Sequence, residues 1–237
     1  MAEKHPLEAL ILAGGLGTRL RPVVSDRPKP VAEVAGRPFV ERLLDQLQQA
    51  GYGKVILCVG YQAEQIRNQL GATFGSMELV YSVEDAPLGT AGALRQAADL
   101  SSTSDVLAMN GDSFCQMDLA SFADAHRRFD GAATVAVLHR DDRSRAGAIE
   151  MNGDGCIVSF APRPIANSPG YINAGVYMFR RQVLLEIPAR QKCSLEEEIL
   201  PGLVEKRSLF GWPVGPDFID IGTPETYRDA QSFFAKR

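Results

Sequence analysis

Apolar positions follow two different periodicities in the first half of the chain. Short runs rich in strand-forming residues predict buried strands over residues 7–13, 54–59, 78–82, 105–109 and 134–138. Between these runs, apolar residues recur every three or four positions and predict helices over residues 39–50, 62–70, 90–100 and 119–129. Strands that alternate with helices require crossover connections, so the pattern predicts a mostly parallel sheet with helices on both faces.

The second half of the chain has a different pattern. Apolar segments at 148–151 and 156–160 flank Asn152-Gly153-Asp154-Gly155, which is typical of a hairpin turn. Further strands are predicted over residues 171–179 and 218–221. Ser194 has the character of a helix N-cap, and Pro224 suits the first position of a last helix. We therefore expect a single α/β domain over residues 1–237, of the αβα Rossmann-like type, with antiparallel strands added to a mostly parallel mixed sheet.

Composition narrows the class of protein further. The 237 residues are 45% hydrophobic and 23% charged, an ordinary globular mixture. The formal net charge of −4 and the lack of a basic run argue against a nucleic-acid partner. The apolar runs are too short to span a membrane, and the first residues lack the order of a secretory signal. Four scattered cysteines favour a reducing compartment, so a cytoplasmic protein with no membrane partner is expected.

A glycine-rich loop follows the first predicted strand. Gly14, Gly15 and Gly17 leave backbone N–H groups able to turn toward a phosphate, and Arg19 adds a charged donor. The dinucleotide fingerprint needs a glycine where Leu20 stands, and the GxxxxGK[ST] phosphate loop is absent. A third pattern fits: Gly14-Gly15-Leu16-Gly17-Thr18-Arg19-Leu20 followed by Pro28-Lys29-Pro30.

This third pattern resembles the sugar-1-phosphate nucleotidyltransferases. Four further segments match motifs of that family and occur in the same order, at residues 84–93, 110–112, 171–177 and 218–224. The resemblance covers almost the whole chain. Within the family, the chain is most similar to the D-glycero-D-manno-heptose 1-phosphate guanylyltransferases, through residues 27–30, 37–41, 87–90 and 218–222.

The resemblance implies a reaction and a set of roles. A nucleoside triphosphate (NTP) and a sugar 1-phosphate would give a nucleotide-diphosphate sugar and pyrophosphate. Mg²⁺ would be held by Asp112 and Asp220. We expect Arg19 to act on the leaving pyrophosphate and Lys29 on the α-phosphate and the attacking phosphate.

The resemblance also divides the chain into two binding halves. The nucleotide-binding half spans about residues 7–130, and the sugar-binding half about 131–237. The expected nucleotide-binding residues are Leu12, Ala13, Gly14, Gly15, Gly17, Thr18, Glu84, Pro87, Gly89 and Thr90. The expected sugar-binding residues are Asn110, Gly111, Gly147, Glu150, Arg163, Asn173 and Gly175.

The sequence indicates the base and the sugar less closely than it indicates the reaction. A carboxylate at Glu84 can accept the two adjacent N–H donors of guanine, which favours GTP. Relatives often carry Glu-Lys-Pro where this chain has Ala161-Pro162-Arg163-Pro164, so one sugar contact differs. Heptose 1-phosphate is the favoured acceptor, with mannose 1-phosphate and GTP, or glucose 1-phosphate with dTTP or UTP, as alternatives. A catalytically silent protein that binds a nucleotide sugar is a further alternative, and the oligomeric state stays open.

Overall fold

The chain folds around a ten-stranded mixed sheet in a computed structural model that describes residues 7–143, 147–164 and 168–236, with residues 162–164 described for the backbone only. The strands are β1 (Leu7–Leu12), β2 (Glu33–Val34), β3 (Arg37–Pro38), β4 (Tyr52–Val59), β5 (Thr73–Phe74), β6 (Met77–Val83), β7 (Asp105–Asn110), β8 (Ser113–Cys115), β9 (Ala133–Arg140), β10 (Gly147–Met151), β11 (Ile157–Pro164), β12 (Gly170–Arg180), β13 (Leu209–Val214) and β14 (Phe218–Asp220). The α-helices are α1 (Phe39–Gln49), α2 (Ala63–Leu70), α3 (Gly89–Ala98), α4 (Leu119–Phe129), α5 (Arg181–Leu185), α6 (Leu200–Glu205) and α7 (Pro224–Ala235). Lys29–Val31 forms a 3₁₀ turn and Leu195–Ile199 a π-helical turn.

Parallel pairing organises the first half of the sheet. Strand β1 lies between β4 and β7 and runs parallel to both, and β6 pairs parallel with β4. The second half joins through β12, which pairs antiparallel with both β7 and β9. The hairpin of β10 and β11 extends the sheet beside β12. The predicted mostly parallel sheet with an antiparallel addition is therefore confirmed.

Helices cover both faces of the sheet because successive side chains of each buried strand point to opposite faces. On β1, Ala9 and Ile11 pack into one apolar cluster with α1, α2, α4 and α7. Leu10 packs into the other cluster with α3, α5 and α6. All three residues have no exposed surface, as expected for the central strand of a sheet covered on both faces.

The hydrophobic pattern of the sequence does not predict several of the short elements. Strands β2, β3, β5 and β8 have only two or three residues, too few to show a periodicity. Strand β13 contains Gly211 and Pro213, which obscure a strand in sequence but are tolerated at the edge of a sheet. Helix α2 begins at Ala63 rather than at Gln62, because Gln62 takes a left-handed conformation with φ of 55°.

The predicted turns and caps are confirmed where local chemistry specified them. The Asn152 side chain accepts the N–H groups of Asp154 at 3.1 Å and Cys156 at 2.9 Å, which closes the β10–β11 hairpin. The Ser194 hydroxyl accepts the N–H of Glu197 at 3.2 Å. Pro224 begins α7 after a Thr223 N-cap. Across the described ranges, the helices include none whose length and apolar character would suit a membrane span.

We predict that His126 contributes to acid sensitivity. Its imidazole is buried on α4 and its Nδ1 lies 2.9 Å from the Thr134 hydroxyl. Burial lowers the pKa of His126 from its ordinary 6.5, despite the nearby carboxylate of Asp105. The unfolded chain therefore binds this proton first as the pH falls, so the stabilisation is complete above about pH 6.5 and is lost on acidification.

Urea unfolding of wild type and His126→Gln at several values between pH 5 and pH 8 tests this. The variant should lose less of its free energy of unfolding on acidification than wild type does. Equal pH slopes for both proteins would assign the acid sensitivity to other groups.

Candidate active site

The carboxyl ends of β1, β4, β6 and β7 lie along one edge of the sheet because the four strands run in the same direction. Ligands of open α/β sheets bind beyond this edge. Here the segments that follow the four strands enclose a cleft of about 580 Å³. The cleft is lined by Leu12, Gly14, Gly15, Leu16, Gly60, Tyr61, Glu84, Asp85, Ala86, Pro87, Gly89, Thr90, Ala93, Asn110 and Asp112.

The glycine loop presents backbone donors to this cleft. The N–H of Ala13 still belongs to the sheet and donates to the Cys58 carbonyl at 2.8 Å, and the loop closes where the N–H of Leu20 donates to the Gly17 carbonyl at 2.9 Å. Within the described ranges, the N–H groups of residues 14–19 have no protein acceptor. Gly17 has φ of +60°, and a Cβ there would lie 3.2 Å from the Cβ of Lys29. The loop can therefore hold an anion such as a phosphate.

Lys29 is fixed beside the glycine loop by a short helical turn. Its ammonium donates to Oδ2 of Asp112 at 2.6 Å. The lysine side chain is 11% exposed and the Asp112 side chain 43% exposed, so the carboxylate lies on the solvent side of the pair. Asp112 follows Gly111, whose N–H donates to the Leu12 carbonyl at 2.9 Å. This bond fixes the segment after β7 against the end of β1.

Asp220, near the carboxyl end of the chain, lies beside Asp112. Strand β14 pairs antiparallel with β8, and the N–H of Ile221 donates to the backbone carbonyl of Asp112 at 2.9 Å. The Asp220 carboxylate is oriented by two donors to Oδ1, the N–H of Gly222 at 2.7 Å and the hydroxyl of Thr226 at 3.0 Å. The structure thus brings the two predicted metal ligands to neighbouring positions.

Gly222 marks the point where the charged groups converge. A Cβ on this residue would lie 2.8 Å from Oδ1 of Asp220, 3.8 Å from Nζ of Lys29 and 3.9 Å from Nη2 of Arg19. Both predicted catalytic cations therefore lie close to Asp220. A side chain at position 222 would occupy the space between these groups.

The donor chemistry of this corner suits Mg²⁺. Asp112 and Asp220 supply hard oxygen ligands, and Mg²⁺ commonly takes one or two carboxylates and completes its shell with water and phosphate oxygens. Among the described residues, the histidines, cysteines and acids form no group of three or more that would suit a metal ion. Water or substrate oxygens would complete the coordination.

Glu84 lies at the opposite end of the cleft. Its Oε2 accepts the N–H of Leu88 at 2.8 Å, which braces the loop between β6 and α3. A Cβ on Gly14 would lie 2.8 Å from Oε1, so a side chain at position 14 would displace this carboxylate from its present position. Burial raises the pKa of Glu84, partly offset by the hydrogen bond from Leu88.

Gly89 and Thr90, two of the predicted nucleotide-binding residues, are held in place at the start of α3. Gly89 has φ of +72°, and a Cβ there would lie 2.5 Å from the Cys193 carbonyl. The Thr90 hydroxyl donates to Glu196 at 3.0 Å and accepts the N–H of Leu195 at 2.7 Å. The loop after β6 is therefore held against the π-helical turn.

A polar network connects this end of the cleft to β12. Oε1 of Glu196 accepts the Tyr177 hydroxyl at 3.4 Å, and that hydroxyl accepts Nδ2 of Asn173 at 2.6 Å. The side-chain Oδ1 of Asn173 accepts the N–H of Gly175 at 2.9 Å. Tyr177 is fully buried, and burial raises the pKa of its hydroxyl. The network joins the predicted nucleotide-binding and sugar-binding residues.

The predicted sugar-binding residues divide into two groups. Asn110 lines the cleft, and Gly175 with φ of +73° packs against its side-chain amide. Gly147 and Glu150 lie on β10 outside the cleft lining, where Glu150 is exposed and pairs with Ser159. The side chain of Arg163 lies outside the described residues.

Sequence reasoning missed several residues at this site. Glu196 follows the Ser194 N-cap and in sequence indicates only the first turn of a helix, and Thr226 in sequence indicates only the first turn of the helix that begins at Pro224. Gly60 and Tyr61 follow β4 and carry no motif. The positions of Gly60 and Tyr61 do indicate a role in the site, because residues that follow the carboxyl end of a parallel strand are candidates for ligand binding.

Comparisons with known proteins agree with this arrangement. The family described as "Nucleotidyl transferase" matches residues 8–237. The chain is 34% identical over 225 residues to D-glycero-alpha-D-manno-heptose 1-phosphate guanylyltransferase of Aneurinibacillus thermoaerophilus, with 95% of this chain and 97% of that protein covered. It is 35% identical over 223 residues to mannose-1-phosphate guanylyltransferase catalytic subunit beta of Drosophila pseudoobscura pseudoobscura, with 92% of this chain covered but only 60% of that protein.

A solved structure gives the same result. The crystal structure of HddC from Yersinia pseudotuberculosis complexed with GMP-PN matches with a TM-score of 0.83 at 30% identity, covering 96% of this chain and 99% of that chain. The chain therefore belongs to the nucleotidyl transferase family. The sequence-based assignments of family and fold class are confirmed.

We predict that Gly175 is required for stability. A side chain at position 175 must adopt φ of +73° and would place its Cβ 2.7 Å from Nδ2 of Asn110 and 2.8 Å from the Ser113 hydroxyl. Gly175→Ala should lower the free energy of unfolding by roughly 1–3 kcal/mol, measured by urea denaturation.

Gly202 in α6 is the matched control because a Cβ there meets nothing within 4 Å. Gly202→Ala should be neutral or stabilise the protein by up to about 1 kcal/mol. Equal destabilisation by both substitutions would contradict the assigned role of Gly175.

Proposed function

We propose that the protein transfers a guanylyl group from GTP to a sugar 1-phosphate, giving a GDP-sugar and pyrophosphate. The observation that carries the proposal is the convergence of Arg19, Lys29 and Asp220 around Gly222, with Asp112 bonded to Lys29. Two cations and two carboxylates at the end of a glycine loop suit the joining of two phosphate-bearing substrates. The names of the guanylyltransferase relatives support the choice of reaction.

The proposed reaction is an in-line displacement at phosphorus. An oxygen of the sugar phosphate forms a bond to the α-phosphorus of GTP as the bond to the bridging oxygen breaks and pyrophosphate leaves. The sugar phosphate has a second pKa near 6, so it is already largely anionic at neutral pH and needs no general base. The barrier then lies in bringing two polyanions together and in the charge of the leaving group.

This chain's residues suit those two requirements. The backbone N–H groups of residues 14–19 would hold the triphosphate. Lys29 would contact the α-phosphate and the attacking phosphate, after exchanging its bond to Asp112 for the substrate. Arg19 would contact the leaving pyrophosphate. Lys29 already lies at this corner before the substrate arrives, so its reorganisation is limited to exchanging Asp112 for a phosphate.

Asp112 and Asp220 would hold Mg²⁺ at this corner. When bound, the ion would neutralise phosphate charge and align the two phosphates. The hydrogen bonds from Gly222 and Thr226 keep Oδ1 of Asp220 oriented, which leaves its second oxygen as the better ligand. This role is consistent with the β8–β14 ribbon, in which Asp220 pairs with Ser113, the residue that follows Asp112.

Glu84 is the proposed reader of the base. Its carboxylate lines the cleft and can accept the N1–H and N2–H donors of guanine while Oε2 also accepts the Leu88 N–H. The preference for heptose 1-phosphate is supported by relatives of matching length, including that of Aneurinibacillus thermoaerophilus. Mannose 1-phosphate is the second candidate, since a relative named for that substrate is 35% identical.

A substrate panel tests the proposed reaction. Pyrophosphate release is measured with ATP, CTP, GTP, UTP and dTTP against heptose, mannose and glucose 1-phosphates in the presence of Mg²⁺. GTP with heptose 1-phosphate should give the highest kcat/KM, and Glu84→Gln should shift the preference toward UTP or dTTP while keeping an acceptor for Leu88. Release with UTP or dTTP alone would contradict the assignment of the base, and no release with any pair would favour a silent binding protein.

Substitutions test the proposed catalytic roles. Lys29→Ala and Asp112→Asn should each lower kcat by roughly 10²–10³-fold, because the first removes a cation from the transferring phosphate and the second removes a proposed Mg²⁺ ligand. Circular dichroism should show that both variants fold, with a lower melting temperature because each loses the Lys29–Asp112 ion pair. Lys206→Ala, at an exposed position just after α6, is the matched control for loss of one positive charge. Wild-type turnover in either test variant would remove that residue from the mechanism.

A further inference from the structure

We propose that Tyr61 is the residue on which the nucleotide base stacks, with Arg21 holding its ring from the other side. This inference rests on the proposed function, because it concerns the nucleotide end of the same cleft. It adds a contact to the face of the base, whereas Glu84 would contact the edge.

Strand register places Tyr61 beside Glu84. Strands β4 and β6 pair in parallel with Val59 opposite Val83, and the N–H of Glu84 donates to the Val59 carbonyl at 2.8 Å. A Cβ on Gly60 would lie 3.7 Å from the Cβ of Glu84. Tyr61 is the next residue along the chain, so its ring and the Glu84 carboxylate belong to adjoining parts of the cleft wall.

Tyr61 combines exposure with a place in the cleft wall. Tyr61 is 40% exposed and Leu16 is 51% exposed, and both residues line the cleft. Most large apolar side chains described in this protein are buried in the two clusters around the sheet. Apolar surface exposed inside a cleft is a typical feature of a ligand site. A planar base would cover it.

Arg21 defines which side of the tyrosine is available. Its guanidinium carbon lies 5.3 Å from the centroid of the Tyr61 ring, within cation–π distance. Arg21 lines a small hollow of about 20 Å³ beneath the glycine loop but not the main cleft, whereas Tyr61 lines both. The tyrosine therefore separates the two spaces, with the cation on the side of the hollow and the remaining surface toward the cleft.

Stacking and edge recognition have different consequences. Every base has a π-face, so stacking adds affinity with little choice among bases. Edge hydrogen bonds distinguish one base from another. Tyr61 should therefore contribute affinity for any nucleotide, and the choice of guanine should depend on Glu84.

The test compares Tyr61→Ala, Tyr61→Phe and wild type by calorimetric titration with GDP and with inorganic tripolyphosphate, which has no base. Tyr61→Ala should weaken GDP binding by roughly 5- to 100-fold, the range for loss of one base–aromatic stack, and leave tripolyphosphate binding unchanged. Tyr61→Phe keeps the ring and should bind GDP within about twofold of wild type. In turnover, Tyr61→Ala should raise KM for every accepted NTP by a similar factor with little change in kcat.

Tyr81 is the matched control. An arginine also packs over the Tyr81 ring, with the guanidinium carbon of Arg67 5.2 Å from the ring centroid. Tyr81 is not among the described residues that line the cleft. Tyr81→Ala should leave GDP affinity unchanged.

Four outcomes would overturn the assignment of Tyr61. These are unchanged GDP affinity in Tyr61→Ala, a parallel loss of tripolyphosphate affinity, a loss in Tyr61→Phe equal to that in Tyr61→Ala, or an equal loss in Tyr81→Ala. The titrations need no turnover and are repeated with the diphosphate of whichever NTP the substrate panel prefers, so they decide the role of Tyr61 even if that panel disproves guanylyl transfer.

Discussion

The parallel pairing of β1 with β4 and β7 is the constraint on which the rest of the structure depends. A parallel sheet brings the carboxyl ends of its strands to one edge, so residues separated by tens of positions in sequence become neighbours. The glycine loop, Tyr61 and Asp112 follow these three strands, and Glu84 follows β6, which pairs parallel with β4. The close approach of Gly111 to the Leu12 carbonyl continues the β1–β7 pairing. A Cβ on Gly111 would clash with that carbonyl oxygen, so glycine is needed at this position.

The antiparallel half depends on this edge in turn. Strand β12 joins β7 from the other side and carries Asn173 and Gly175 to the end of the cleft. The short β8–β14 ribbon brings Asp220 beside Asp112. Glu196 then links Thr90 to Tyr177, so a single acid contacts side chains from both halves of the chain. The hydrogen bonds of Glu196 therefore connect α3 to β12.

Much of this arrangement could be predicted from the sequence, because local signals specified it. The periodicities located the long strands and helices, and the glycine loop with Lys29 indicated the family. Tyr61 carries no motif and is indicated only by its position after β4, whereas Glu196 could not be found from the sequence because its role arises from contacts across the fold. Glu196 meets Thr90 over a separation of 106 residues, and its sequence neighbours Glu197 and Glu198 are indistinguishable from it by type. The charge pattern alone therefore indicated a helix start, and only the packed structure separates Glu196 from the two exposed acids.

Charge at the site is balanced locally rather than over the whole molecule. The net charge of −4 would repel a polyanion if it were spread evenly, yet Arg19 and Lys29 lie together beside the glycine loop. In the free protein the ammonium of Lys29 is neutralised by Asp112, so a mostly buried cation does not stand alone. Buried charges are costly unless paired, which explains why the lysine has a partner before any substrate binds. Under the proposed function, a phosphate group offers Lys29 an equivalent partner and leaves the Asp112 carboxylate, the more exposed of the two groups, available for a cation. The ion pair therefore holds Lys29 and Asp112 in position in the free protein. Each of them can then exchange its partner for a group that arrives with the substrates.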